Sequence, residues 1–205
     1  MMKINMQSDY NNGYLEVIIG PMYSGKTSYL LNIFKQYSYC NCDVLVFNHD
    51  TDNRYDESML STHDKLKIPC TKTDELLKYV ESEEFNKSKV ILINEGQFFK
   101  DLFAFTLYAV ESKSKHVYVC GLDGDFKRKK FGQINDLIPY SDKVTKLNSL
   151  CYSCKNGNKA IFSHRLTNEK QQHVVGSDNY VPLCRSCYLK HNNLDLSDYI
   201  LLEKS

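Results

Sequence analysis

The apolar residues of this chain fall in short unbroken runs, separated by stretches whose apolar positions recur every three or four residues. The runs YLEVIIG (14–20), DVLVFN (43–48), KVILIN (89–94) and HVYVCG (116–121) are continuous rather than alternating, so each predicts a strand buried on both faces. Between them, KTSYLLNIFKQY (26–37), TDELLKYVES (73–82) and DLFAFTLYAVESK (101–113) carry helical spacing and predict helices. Strand and helix alternate from residue 14 to about 149, which predicts an α/β fold with a parallel sheet and helices on both of its faces. Past residue 150 the texture turns polar and loop-rich. With too little apolar content for a core of its own, that part is expected to need a metal as a staple. The division is set at 1–149 and 150–205.

The cysteines sharpen this division. Cys40, Cys42, Cys70 and Cys120 lie in or beside apolar stretches and read as reduced, mostly buried thiols. Cys151, Cys154, Cys184 and Cys187 form two C-x-x-C pairs, CYSC and CRSC. In a reducing compartment, two such pairs point to a four-thiolate zinc site rather than to disulfides, because each turn aims two sulfurs at one ion. Four thiolates leave no open position for water or substrate, so the metal would be structural.

Composition mainly excludes. At 205 residues the chain has room for one α/β domain and a small appendage. A net charge of +1 and a pI near 7.5 give no electrostatic case for nucleic acid or membrane as a bulk partner. No apolar run approaches the roughly 20 residues that cross a bilayer. The first residues, MMKINMQSDYNNG, are polar and lack an apolar signal core, so a cytoplasmic location is expected.

GPMYSGKT (20–27) carries the strongest chemistry. It fits G-x-x-x-x-G-K-[ST], follows a predicted strand and opens a predicted helix. Gly20 and Gly25 let the backbone curl. The intervening Pro21, Met22, Tyr23 and Ser24 complete the loop, whose N–H groups and following helix N-terminus attract phosphate. Lys26 offers a point charge to the outer phosphates, and the Thr27 hydroxyl can ligate Mg²⁺. The chain therefore binds a nucleoside triphosphate. No N-K-x-D stretch that would read guanine is present, and no large lid or partner domain suggests a motor.

A second signal closes the run KVILIN. Asn94 ends it and Glu95 follows, an acid expected at a strand's C-terminal end beside the phosphate-loop strand, where ligands of open α/β sheets bind.

GPMYSGKT, DNRY (52–55), STHD (61–64), NEGQFF (94–99), GLDGDFKRKKFG (121–132), the two C-x-x-C pairs and VVGSDNYVPLCRSCY (174–188) occur in an order that resembles the type II, cytosolic-type thymidine kinases. The likeness runs over roughly residues 14–190. It implies a RecA-like P-loop core, a small zinc domain and a lasso loop over the nucleoside. It also implies transfer of the γ-phosphoryl group of ATP to the 5′-hydroxyl of thymidine with Mg²⁺, in a homotetramer. Deoxyuridine as a further substrate and feedback inhibition by dTTP belong to the same expectation.

Residue by residue, the resemblance makes Glu95 the general base. Asp52 lies on the Mg²⁺ side and Arg54 near phosphate, with Asn94 and Gln97 also on the phosphate side. His63 and Asp64 match a further family stretch. Phe126 stacks on the thymine ring. Met22, near the thymine methyl, joins Leu122, Phe98 and Phe131 in lining the nucleoside pocket. Ser163 stands where the family often has Thr beside the base. Val174, Val175 and Gly176 offer backbone groups to thymine, and Tyr180 contacts the sugar. The family usually has Asp at position 94, and its Gly-Gly-x-Asp-x-Tyr lasso is one residue longer than Gly176–Tyr180 here. The basic run Lys127-Arg128-Lys129-Lys130 reads as a solvated surface or a subunit contact.

Two other readings stand beside the kinase. One is a P-loop ATPase that acts on a macromolecular partner. The other is a zinc-ribbon nucleic-acid binder, for which salt-sensitive DNA binding would speak.

Overall fold

The computed structural model describes residues 12–51, 59–61, 67–169, 171–172 and 179–194. They form two compact units. One holds the first strand, Lys26–Asp123 and Phe131–Lys146; the other holds Gly20–Gly25, Gly124–Lys130 and the described residues from Leu147 onward.

The first unit is organised by strands β1 (Tyr14–Ile19), β2 (Val44–His49), β3 (Met59–Ser61), β4 (Lys67–Pro69), β5 (Thr71–Thr73), β6 (Val90–Asn94), β7 (His116–Gly121) and β8 (Lys143–Lys146). Six of them make one sheet in the order β5-β2-β6-β7-β1-β8, with every pairing parallel. β3 and β4 pair separately as an antiparallel ribbon. The four predicted strands are all present, in the unbroken apolar form that burial on both faces demands.

Alternation along the strands sorts the core. Leu15, Val17, Ile19, Phe47, Ile91, Ile93, Val117 and Val119 lie in one cluster with Leu76, Phe85, Phe99, Leu102, Phe105, Ile134 and Leu137. These last come from the segments that cover that face, including α2 (Glu83–Lys87) and α3 (Leu102–Leu107). Helix α1 (Lys26–Tyr39) packs on β2, β6 and β7 and buries Leu30, Leu31 and Ile33.

Two helical predictions change in the structure. Residues 73–82 are not a helix. Thr73 is drawn into β5, opposite His49 of β2, and Asp101 accepts the N–H groups of Leu76 and Leu77, both at 2.7 Å. What remains is one 3-10 turn at Leu77–Tyr79, and the helix starts afresh at Glu83 behind a Ser82 cap. The periodicity was real, because Thr73 and Leu76 are buried and Tyr79 and Val80 pack against the core, but sheet pairing and a side-chain acceptor claimed backbone groups of the segment. The segment 101–113 is α-helical only through Leu107 and closes with a π turn over Tyr108–Ser112. Of the four cysteines expected as mostly buried thiols, only Cys120 is buried; Cys40 is exposed, and Cys42 and Cys70 are half-buried. Glu95 also departs from its expected place. β7 lies between β6 and β1, so the acid ends a strand one removed from the strand that leads into the phosphate loop.

The second unit pairs β9 (Ser149–Leu150) with β10 (Lys159–Ala160) and β11 (Phe162–Arg165) with β12 (Tyr180–Leu183), followed by α4 (Arg185–His191). It does have an apolar core, contrary to its polar composition. Ala160, Val181, Leu183 and Tyr188 pack with Cys151 and Cys184. The cluster is small and is closed by the cysteines themselves.

Edge strand β8, KVTK, carries no apolar run and was not legible in the sequence. Its register on β1 is held by Glu16, which is 3% exposed and accepts from Thr145 Oγ1 (2.6 Å), Tyr29 OH (2.8 Å) and Lys143 Nζ (3.1 Å). Burial raises the Glu16 pKa, but the hydrogen bonds from Thr145, Lys143 and Tyr29 and the charge of Lys143 outweigh it and hold the pKa below 4.5. A carboxylate with a depressed folded pKa stabilises the protein above its unfolded pKa and stops doing so as pH falls through the folded value. We expect Glu16→Gln to lose about 1.5–3 kcal/mol at pH 7, the range for hydrogen bonds to a charged group. The difference from the parent should shrink in denaturant titrations as pH falls below about 4. A difference that does not change with pH would mean that the carboxylate's charge is not what holds β8.

Candidate active site and metal centre

The phosphate loop joins β1 to α1. Its backbone alternates in hand: Gly20 has φ 153°, Tyr23 φ 62° and Gly25 φ 85°. A Cβ on Gly20 would lie 2.4 Å from the Leu147 carbonyl oxygen, so only glycine fits there. Tyr23 pays a steric penalty for its left-handed conformation, of the kind that gathers at ligand sites. Successive residues of opposite hand turn their N–H groups inward as an anion-binding concavity. The Ser24 hydroxyl oxygen is buried without a hydrogen-bond partner, an unmet polar group that suits a phosphate oxygen. Met22 N–H donates to Ser163 Oγ at 3.0 Å, so the structure joins these two predicted pocket residues directly. Lys26 and Thr27 open α1, and Lys26 is buried to 9% exposure.

At the other polar centre the parallel register sets Asn48 opposite Asn94, at the ends of β2 and β6. Asn94, 1% exposed, donates from Nδ2 to Asn48 Oδ1 (2.9 Å) and accepts at Oδ1 from Cys120 Sγ (3.1 Å). Both ends of the Asn94 amide therefore hydrogen-bond within the protein. Asn48 and Cys120 were missed by sequence reasoning. The one available signal was that two adjacent strands end in the same amide.

Glu95 follows in the left-handed region, φ 56° and ψ 39°, an uncommon conformation for a non-glycine residue. Its Oε2 accepts from Gln97 Nε2 at 2.7 Å, and Gln97 Oε1 accepts from Leu122 N–H at 2.9 Å. Gln97 is 3% exposed and is enclosed by two glycines. A Cβ on Gly121 would stand 2.2 Å from Gln97 Oε1, and one on Gly132 2.0 Å from the Gln97 carbonyl oxygen. One buried amide thus ties the acid after β6 to the chain after β7. Phe98 meets Phe131 edge-on at 5.4 Å, and Phe131 is buried.

In the second unit, Phe126 sits in the turn between Gly124 and Lys130, which Asp125 organises by accepting the N–H groups of Lys127 and Lys129. Arg165 covers one face of the Phe126 ring at 3.7 Å from its centre, and Tyr180 OH accepts from the same guanidinium. Within the basic run, Arg128 is not a solvated charge. It adopts φ 63° and lies over Tyr188 at 4.8 Å and Phe162 at 5.4 Å. Asp52, Arg54, His63, Asp64, Val174, Val175 and Gly176 lie outside the described residues.

The Sγ atoms of Cys151, Cys154, Cys184 and Cys187 all lie within 4.8 Å of one another. Four sulfurs ~2.3 Å from a tetrahedral zinc stand ~3.8 Å apart, so the cluster fits the ion closely. Burial raises the Cys151 pKa, but the backbone N–H groups of Cys154, Cys184 and Ser153 more than offset it and bring it to about 6. Asn158 Nδ2 points at Cys154 Sγ, 3.7 Å away, as a donor to a thiolate would. These four residues could hold a metal with no place for substrate.

A family model described as thymidine kinase matches residues 13–188. The chain is 41% identical over 182 residues to a thymidine kinase of Oryza sativa subsp. japonica, covering 86% of this chain and 66% of that one. Thymidine kinase a of Arabidopsis thaliana is 36% identical over 198 residues, covering 95% and 82%. The thymidine kinase of Sheeppox virus (strain KS-1) is 38% identical over 177 residues, covering 86% and 97%.

If the cysteine cluster holds zinc, elemental analysis of the purified chain should give one ion per chain. Cys184→Ser should lose the ion and melt several degrees lower, because metal binding supplies folding free energy to a core this small. A metal-free chain with an unchanged melting curve would remove the metal from the fold.

Proposed function

The chain belongs to the thymidine kinase family, an ATP-dependent phosphotransferase family acting on thymidine, and on that premise we propose how its residues carry the reaction. Glu95 is the general base that takes the proton of the thymidine 5′-hydroxyl as that oxygen attacks the γ-phosphorus of ATP. The observation that carries this role is the way Glu95 is held. It is an acid at the C-terminal end of a sheet strand, in a strained backbone conformation, with one carboxylate oxygen fixed by Gln97. Gln97, first expected on the phosphate side, acts here by orienting Glu95.

Residues 20–25 and Lys26 bind the triphosphate. Thr27 and Asp52, together with the ATP phosphates, would hold Mg²⁺, whose charge would offset that of the phosphates. Arg54 contributes on the phosphate side. Phe126 stacks on thymine; Met22, Phe98, Leu122, Phe131 and Ser163 line the pocket; Val174, Val175 and Gly176 read the base edge, and Tyr180 contacts the sugar. Residues 1–149 form the nucleotide-binding part and 150–205 the part that structural zinc staples. The likeness to type II relatives supports a cytoplasmic homotetramer that accepts deoxyuridine as well and is inhibited by dTTP. Among the described residues no helix is long and apolar enough to cross a membrane, and the net charge of +1 favours neither membrane nor nucleic acid as partner.

Purified protein should make ADP from ATP only when thymidine is added, which separates the kinase from a partner-directed ATPase and from a nucleic-acid binder. Glu95→Gln should bind ATP as before and turn over ~10²–10⁴ more slowly, the usual worth of a positioned general base. Near-parent turnover would take Glu95 out of that role.

Asn94 allows a second test. An amide is a poorer outer partner for a hard cation than a carboxylate. An Asp at 94 can be accommodated, because Cys120 already donates there and the Asn48 amide can rotate to donate. Asn94→Asp should reach half-maximal rate at lower free Mg²⁺ than the parent. Coincident titration curves would place residue 94 outside the metal's surroundings.

A further inference from the structure

Arg165 makes five hydrogen bonds among the described residues of the second unit, and no role in the reaction has been assigned to it. It ends β11 and is 4% exposed. Nε donates to Tyr180 OH (3.2 Å), and Nη2 donates to Tyr180 OH (2.6 Å) and to the Gln172 carbonyl (3.0 Å). Nη1 donates to the carbonyls of Glu169 (2.9 Å) and Gln171. A guanidinium has five N–H donors in a rigid fork, and here five bonds are made. Its ring-facing surface lies over Phe126 at 3.7 Å, with Tyr180 at 5.1 Å.

The acceptors are unusual for a buried charge. All are neutral: three backbone carbonyls and one phenol. With no carboxylate among its partners in the described residues, this buried cation carries a desolvation cost. Geometry explains why it is kept. The same planar group touches Phe126, in the turn after β7, the carbonyls of Glu169, Gln171 and Gln172, and Tyr180, the first residue of β12. The Phe126 turn is far from the other two in sequence, and a lysine could not span all three, because it has three donors on a point charge rather than a fork. Gln172 extends the set by donating to Asp125 Oδ2 (3.0 Å), the residue that shapes the Phe126 turn. With every donor used, the guanidinium is a fixed wall over one face of Phe126, and Lys127 Nζ also lies 5.3 Å from the centre of that ring.

We propose that Arg165 is a positioning residue for nucleoside binding: it fixes the face of Phe126 and the phenol of Tyr180, so that the base and sugar of thymidine meet preset partners. This rests on the assignment of Phe126 and Tyr180 to thymidine given above. Arg165 itself touches no phosphate in this scheme, so its loss should act on thymidine and spare ATP.

The test compares the parent, Arg165→Met, Arg165→Lys, Tyr180→Phe and the Met/Phe double variant for KM of thymidine, KM of ATP, kcat and melting temperature. Arg165→Met should raise the thymidine KM roughly 10- to 100-fold, the worth of one hydrogen bond to a charged group. The ATP KM should change less than about threefold. Melting should fall, because the Tyr180 phenol and the carbonyls lose their donor, so the split between the two KM values rather than the melting shift reads the positioning role. Arg165→Lys should resemble Met rather than the parent, since charge without the fork does not restore the contacts. The double variant should be no worse than about threefold beyond Arg165→Met, because both changes break the same contact. Equal rises in both KM values with a large loss of melting temperature would make Arg165 merely structural and overturn the proposal. Full restoration by Lys, or additive effects of Met and Phe, would overturn it as well. Failure of the parent to phosphorylate thymidine would instead sink the kinase assignment, and the parent's own turnover reports that separately.

Discussion

The site depends on the pairing of β6 between β2 and β7. All pairings in this sheet are parallel, so the strands end on the same side, and whatever residue follows the last apolar position is delivered there. Asn48 and Asn94 meet because they hold the same place in adjacent strands, and Cys120 reaches Asn94 from the third. A slip of one residue would turn apolar side chains into this layer and bury the amides in the core. The amides can sit at 1–2% exposure because Asn94 donates to Asn48 and accepts from Cys120.

Glu95 and Gln97 extend that layer outward. The chain must leave β6 sharply to present the acid, and it does so through a left-handed residue that most side chains avoid. Such strain persists only where surrounding contacts over-determine it. Here they are the Gln97 amide and the two glycines that make room for it. Gly121 and Gly132 are therefore packing requirements of the Glu95–Gln97 pair as much as turn residues.

The second unit solves a different problem with few apolar residues. Its core is completed by cysteine side chains, and its longer-range contacts run through arginines laid on aromatic rings. The planar cations serve both as ring partners and as hydrogen-bond forks, and so replace part of the apolar packing that a larger domain would use.

Local chemistry was readable directly from the chain. Unbroken apolar runs announced four buried strands, GPMYSGKT announced phosphate, two C-x-x-C pairs announced a four-thiolate cluster, and the order of motifs pointed to the kinase family. These signals are carried by neighbouring residues, and period and spacing are enough to reveal them. The tertiary structure alone decided what depends on partners far apart in sequence. The segment 73–82 lost its helix to pairing with β2 and to the carboxylate of Asp101. β8, without an apolar run, became a strand because Glu16 binds its side chains. Strand order moved Glu95 one strand from the place expected of it. Arg165, one basic residue among twenty-six lysines and arginines, acquired its importance only when folding gathered three carbonyls, a phenol and a ring around it. A hydrogen bond or ring contact has no sequence period, so pairings such as Glu16 with Thr145 or Arg165 with Phe126 leave no local mark.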